Sequence, residues 1–213
     1  MKIIMYFCNF IGFNNLTIFN QYLWIMTDAF LNLLISLAPF TENELADALP
    51  YYQRIPVKKN DYFSKAGRIS DRIGFVSSGL LRSFYTIKGK EVTTFFLTPG
   101  TIAASLVSFL EVKPAIENIQ ALEESEVIVI SRKHLFQLYE GNWKWQQVGR
   151  ILIENYYVKM EYRSLSLQNQ SAQERYKQFV IEYPEVLKVA PQHQIASFLG
   201  IAPETLSRIR KAK

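Results

Sequence analysis

The chain predicts an α+β protein: an N-terminal β jelly roll, a long helix, and a C-terminal helix-turn-helix. Three observations predict this. About eight short β-rich segments succeed one another between residues 53 and 131, the spacing of a jelly roll or sandwich. Apolar residues then recur at intervals of 3, 4, 3, 4 and 3 from Val148 to Leu165, broken only by Asn155. Finally, PQHQIASFLGIAPETLSRIRK, from Pro191 to Lys211, reads as a helix, a one-glycine turn and a second helix with a cationic end.

The totals bound the answer. With 213 residues, 49% of them hydrophobic, the chain has material for one or two domains with a genuine core. The net charge of +5 is a mild bias. From Gln192 onward, however, there are four basic residues (Arg208, Arg210, Lys211, Lys213) against one acid, Glu204, so the excess sits at one end. Local placement matters more than the total, because phosphate neutralisation carries non-specific affinity for nucleic acid. Cys8 is the only cysteine, which excludes a disulfide framework and a thiolate-held iron–sulfur or zinc centre. Two histidines, His134 and His193, are too scattered for a metal site.

Residues 1–25 carry a single charge, Lys2, and are crowded with Phe, Ile, Asn and Tyr. Asn9, Asn14, Asn15, Asn20 and Gln21 interrupt each apolar run well short of the roughly 18 residues a membrane span needs, and no small-x-small cleavage site follows. The expectation is a cytoplasmic protein with no membrane partner whose natural start is Met26, the preceding stretch being an upstream extension of the reading frame.

From Thr27 the composition is globular, and residues 27–138 read as the jelly-roll domain. Residues 29–37 make a short apolar helix; Thr41 and Glu44 form a capping box for a second over 42–49. Strands are expected at 53–58, 62–65, 72–77, 80–87, 91–97, 101–104, 117–122 and 126–131, with turns at Lys88-Gly89-Lys90 and Pro99-Gly100. A small jelly roll also builds cupin enzymes, which hold a catalytic metal with clustered histidines and a carboxylate. No histidine lies between Thr27 and Arg132, so the reading is of a protein that is not an enzyme.

Ser131 caps a helix over 132–139, which Gly141-Asn142 breaks. The long helix, 142–168, carries Val148, Ile151, Asn155, Val158, Tyr162 and Leu165 as an a/d seam, with Asn155 at an a position. Such a seam suits two parallel helices, and one buried Asn fixes their register. The alternative is an amphipathic helix packed on its own jelly roll, and Trp145 and Leu152 on the adjacent face point that way too. After a polar hinge at Gln168–Gln170, residues 171–213 form the last domain. Ser171 and Glu174 make a further capping box, opening a helix over 172–183 that Pro184 closes.

In the terminal pair, Ile195, Phe198 and Leu199 give the first helix an apolar face, and Gly200 supplies the positive φ that a sharp exit needs. Pro203 suits the first position of the second helix. Leu206 and Ile209 face inward, leaving Glu204, Thr205, Ser207, Arg208, Arg210 and Lys211 outward. The bland alternative is a solvated hairpin whose charges keep it soluble. The spacing nonetheless fits a helix-turn-helix, whose second helix enters the major groove of double-stranded DNA. Arg reaches guanine in a bidentate way and Glu accepts from cytosine, so Glu204 and Arg208, one turn apart, can both reach base edges. They can equally form an i,i+4 ion pair.

GIAPETLSRIRK resembles the recognition helix of the Crp/Fnr family of bacterial transcription regulators, in which a Glu-Thr pair followed by Ser or Gly and then Arg is characteristic. The resemblance implies that Glu204 and Arg208 read bases and that Thr205 contacts phosphate. The family's other base-reading arginine falls on Pro203, so the half-site sequence does not transfer. It implies a homodimer held by the central helix, since two recognition helices must sit about 34 Å apart on a two-fold site. It implies further that the jelly roll is an effector domain of the cyclic-nucleotide-binding type, with a small-molecule effector of unknown identity and RNA polymerase as a further candidate partner. Family members usually continue into a β-hairpin wing; with the sequence ending at Lys213, none is expected, which bears on affinity and not on docking mode.

The effector site departs from the pattern. In the family a short helix, preceded by Gly-Glu and followed by Arg-Ser, cradles the nucleotide phosphate; the matching stretch here is 103–116, and Ala115-Ile116 stands where Arg-Ser would be. Burying a phosphodiester without a guanidinium forfeits the bonds that offset its desolvation. No cofactor is expected, neither cyclic AMP nor an iron–sulfur cluster. Ser105, Ser108 and Glu117 are the candidate lining for another small molecule, with ordinary turn and surface roles as the alternative. The functional expectation is a dimeric DNA-binding regulator; the alternative is a ligand-sensing or scaffold dimer without sequence-specific DNA binding.

Overall fold

The computed structural model describes residues 28–211. The expectation of an extension over residues 1–25 and a start at Met26 lies outside the described residues, as does Lys213.

Two helices, α1 (Asp28–Leu37) and α2 (Glu42–Ala48), lead through a 3₁₀ turn (Leu49–Tyr51) into eight strands. These are β1 (Tyr52–Val57), β2 (Tyr62–Ser64), β3 (Arg72–Ser78), β4 (Leu81–Ile87), β5 (Lys90–Leu97), β6 (Ile102–Ala103), β7 (Asn118–Ala121) and β8 (Ser125–Ser131), with α3 (Leu106–Glu111) between β6 and β7. They form two four-stranded sheets, ordered β1-β8-β3-β6 and β2-β7-β4-β5, with antiparallel pairing throughout. The expected strands are all present within a residue or two of their predicted bounds; the sixth shrinks to the pair Ile102–Ala103.

The run Val127-Ile128-Val129-Ile130 shows why β8 is apolar at successive positions. Val127 and Val129 fill the core between the sheets with Leu81, Ile119 and Phe63. Ile128 and Ile130 point the other way, into a second core with Phe30, Leu34, Leu135 and Trp145 from the helices outside. Alternation along a strand with both faces covered gives a continuous apolar run.

Beyond the jelly roll come α4 (Arg132–Gly141), α5 (Trp143–Asn169), α6 (Ala172–Glu182), α7 (Val186–Val189), α8 (Gln192–Phe198) and α9 (Pro203–Lys211). Both predicted capping boxes close, Thr41 with Glu44 and Ser171 with Glu174, and the Ser131 hydroxyl accepts from the amide of His134. Glu44 does more than cap. Its carboxylate accepts from Lys144 Nζ at 2.7 Å and from Asn142 Nδ2 at 2.7 Å, pinning α2 to the start of α5. The Lys144 ammonium, with the Thr41 amide, holds the Glu44 carboxyl down at about 2.

The third core is that of the terminal domain. Tyr176, Phe179, Val186, Ile195, Ala196, Leu199 and Leu206 close on one another and on Leu80, Phe96 and Leu122 of the jelly roll. Gly200, at φ 66°, makes the turn between α8 and α9, with the Leu167 side chain of α5 close against it. The α8–α9 pair is therefore docked on the β domain and touched by the long helix.

Candidate functional site

The C-terminal helix is amphipathic by construction. Leu206 is fully buried and Ile209 half-buried, anchoring α9 in the third core. Glu204, Arg208, Arg210 and Lys211 stand exposed on the other side, while Thr205 and Ser207 are half-buried at its flanks. Arg208 Nη2 donates to Thr205 Oγ1 at 3.3 Å, folding back along the helix. The acid lies in the first turn and the three bases in the last, the arrangement the helix dipole favours.

The long helix presents two faces. Ile151, Asn155, Val158, Tyr162 and Leu165 share one, and from Asn155 onward all of them are exposed. Val148 departs from the predicted seam: at 5% exposure it is enclosed in the chain's own outer core with Trp145, so the seam available to a partner starts at Ile151. The opposite face serves the chain itself. Tyr156 meets the Phe95 ring, and Arg163 reaches the terminal domain.

That Arg163 contact belongs to the joint between the domains. β5 is an edge strand, and its outer backbone groups are satisfied from the helices. The Thr93 amide donates to Ser197 Oγ of α8 at 3.0 Å, and Ser197 Oγ donates to the Glu91 carbonyl at 3.2 Å. Arg163 Nη2 donates to the carbonyls of Thr93 (3.2 Å) and Phe198 (2.9 Å) and lies 4.2 Å over the Phe198 ring. Arg175 Nε donates to the Leu199 carbonyl at 2.9 Å. Two cations thus meet the carbonyl end of α8, again where the dipole favours them. Burial lowers the Arg163 pKa, with Arg175 adding to it against a raising effect of Tyr183. Beneath α8, Arg82 is 1% exposed, paired with Glu91 and stacked 3.9 Å from the Phe84 ring centre. Its Nε and the Oε1 of buried Gln194 find no hydrogen-bond partner among the described residues.

In the jelly roll, Glu117 precedes β7 and turns inward. Ser83 Oγ of β4 donates to Glu117 Oε2 at 2.6 Å, and Thr94 Oγ1 donates to Ser83 Oγ at 3.1 Å. Burial pushes the Glu117 carboxyl up, and Ser83 and Ser105 pull it back only in part. Burial and then Glu117 likewise push the hydroxyls of Tyr85, to about 12, and Tyr156 upward. Ser105, fully enclosed at the head of α3, makes no hydrogen bond of normal geometry.

Ser108 does not line this site. Its hydroxyl accepts from the Ser70 amide at 2.8 Å and donates to the Lys113 carbonyl at 2.6 Å, a structural tie that closes the α3 loop. Neither serine is a surface residue: both are fully enclosed, and Ser108 ties the loop from inside. Ala115, in the position of the family's arginine, is buried, and its N–H and C=O are tied to Arg68 and Gly67. The site is a carboxylate with hydroxyls around it, able to accept hydrogen bonds or balance positive charge and repelling an anion. Ser83, Thr94, Tyr85 and Tyr156 were not singled out from sequence. A polar pair, Arg82-Ser83, in the middle of a buried strand is the signal that marks the first of them. Among the described residues no group of three or more His, Cys, Asp or Glu gathers to hold a metal, and no helix is long and apolar enough to cross a membrane.

The jelly roll is followed in the chain by a long helix and a compact group of shorter terminal helices. Residues 54–142 match the family model of the cyclic nucleotide-binding domain. Among solved structures the chain is similar to FixK2 from Bradyrhizobium japonicum, at 22% identity and TM-score 0.62 over 76% of this chain and 83% of that one. It is similar to a CooA mutant from Carboxydothermus hydrogenoformans, at 16% identity and TM-score 0.63 over 88% and 85% of the two chains. It is also similar to the catabolite activator protein of Thermus thermophilus, at 22% identity and TM-score 0.53 over 84% and 85%. Comparison with the curated proteins gives no match. The chain shares the fold of these structures, and its residues 54–142 match the cyclic nucleotide-binding domain within it.

Proposed function

We propose that this protein is a homodimeric, cytoplasmic transcription regulator of the Crp/Fnr type rather than an enzyme, reading two-fold double-stranded DNA with α9. The observation that carries the reading is the placement of Glu204, Arg208, Arg210 and Lys211 on the exposed face of a helix whose back is locked by Leu206. Glu204 and Arg208 are the base-reading pair, Thr205 and Ser207 flank it, and Arg210 and Lys211 meet phosphate. The exposed face of Ile151, Asn155, Val158, Tyr162 and Leu165 pairs two copies, and RNA polymerase is the further partner at a promoter. The effector site takes a ligand other than a cyclic nucleotide. Ala115-Ile116 offers a phosphodiester no cation, and the half-buried Glu117 repels it. Glu117 and Ser105 serve instead as acceptor and donor for a neutral or cationic molecule.

The test is binding to sites selected from a random duplex pool. Affinity is expected to fall tenfold or more between 50 and 200 mM salt, roughly what several phosphate contacts produce. Arg208→Ala is expected to lose about 1–3 kcal/mol of base discrimination, while Lys211→Ala weakens all duplexes alike. A flat salt response, or equal loss of specific and random binding in Arg208→Ala, would favour the scaffold-dimer alternative.

A further inference from the structure

A cavity of about 160 Å³ lies on the outer side of the β1-β8-β3-β6 sheet, roofed by α1, α3, α4 and α5. A space this large far exceeds what a single water needs. Its wall is made by Phe30 of α1, Phe75 of β3, Phe109 of α3 and Trp145, Val148 and Leu152 of α5. None of its described lining residues is Asp, Glu, Lys, Arg or His. Three tyrosine hydroxyls, on Tyr52, Tyr139 and Tyr156, are the polar side-chain groups beside the indole N–H of Trp145. Burial raises the pKa of all three, which keeps them neutral. A water needs two to four polar partners, and apolar cavities of about 150 Å³ stay dry and take up benzene or xenon.

The cavity is not sealed. Leu110 of α3, Phe136 of α4 and Ile153 of α5 line it and are themselves substantially exposed, at 53%, 36% and 45%. They form an apolar rim on three different elements. Such a rim exposes greasy surface with no benefit to an isolated chain, but it suits entry of an apolar molecule.

We propose that this cavity is a binding site for an uncharged, ring-sized apolar molecule, an aromatic or alicyclic compound of about benzene to toluene size. Charge is excluded because the wall carries no countercharge. Size is bounded by the volume. An occupant would touch both α3, which carries Ser105 at its head, and α5, which carries the Asn155 face. The site is separate from the Glu117 carboxylate, with Tyr156 alone bordering both. The proposal concerns occupancy of the cavity and is independent of the DNA-reading assignment.

The full-length chain, melted with and without toluene, tests it. A stabilisation of about 2–4 °C is expected at a few-fold excess over the dissociation constant for a chain of this size. Calorimetric titration should give one site per chain. Cyclic AMP and benzoate, which are charged, should give neither signal. Ala104→Leu fills the cavity from the wall and should abolish the toluene shift without lowering the melting temperature of the free protein. Should that variant fail to fold, Phe109→Ala enlarges the space instead and should move the preference from toluene towards naphthalene. No shift in the unaltered chain, an equal shift in Ala104→Leu, or no change of preference in Phe109→Ala would overturn the proposal.

Discussion

Arg163→Ala should unlock the terminal helical domain from the jelly roll. The guanidinium donates to two carbonyls on different domains, Thr93 at 3.2 Å and Phe198 at 2.9 Å, and stacks 4.2 Å over the Phe198 ring. A hydrogen bond to a charged group is worth about 1.5–3 kcal/mol, and a partly desolvated cation–π contact about 0.5–2 kcal/mol. Truncation also recovers the desolvation of a buried cation, which offsets part of that sum and leaves about 2–3 kcal/mol. At 1.4 kcal/mol per factor of ten, the open arrangement becomes about 30- to 150-fold more populated. The Thr93 amide reports this directly, because it donates across the joint to Ser197 Oγ. In native-state hydrogen exchange its rate should rise by that factor, while amides of the central strand β8 keep theirs. Arg163→Lys should not restore protection, since an ammonium cannot serve both carbonyls with a planar fork. Unchanged Thr93 exchange, or equal acceleration in β8, would refute the reasoning.

Three further outcomes follow from local chemistry. Gly79→Ala should destabilise the chain by more than about 1 kcal/mol in denaturant melts, because Gly79 has φ 83° and an added Cβ would lie 2.6 Å from the Glu124 carbonyl oxygen. Glu44→Gln should remove a contribution that is fully present above the unfolded carboxyl value. The gap in melting temperature between the original and the variant should close as pH falls through the folded value of about 2. Glu117→Gln should do the opposite. Its carboxyl is raised on folding, so the original chain loses stability as pH climbs past the ordinary carboxylate range, and the variant should lack that slope. Parallel curves for either pair would contradict the corresponding environment.

What the sequence disclosed and what it hid divide along physical lines. Local signals were legible: Thr41 with Glu44, Ser171 with Glu174, the Lys88-Gly89 hairpin and Gly200 each act within a few residues, and each stands where read. The apolar run of β8 was legible as a strand, although its service to two cores was not. Val148 illustrates the limit. It falls on the apolar stripe of the long helix, but periodicity reports which residues share a stripe and not whether their own domain covers it. Ser108 fails for the same reason, since its two bonds, to Ser70 and Lys113, depend on loops meeting in space. Arg163 carried no signal, because nothing local distinguishes an arginine clamped across two domains from a solvated one. Glu117 was picked as polar, while the hydroxyls around it come from β4, β5 and α5 and required the sheet register.

The joint under α8 leaves Arg82 Nε and Gln194 Oε1 without partners among the described residues. A buried donor and acceptor left unmatched each raise the energy of the closed form by about 1–3 kcal/mol, and solvent relieves both as soon as the two halves part. Separation therefore asks for less work than the greasy contact of Phe96 with Phe179 and Phe198 would suggest. Two unquenched polar atoms are a simple way to make a joint that closes firmly but not finally.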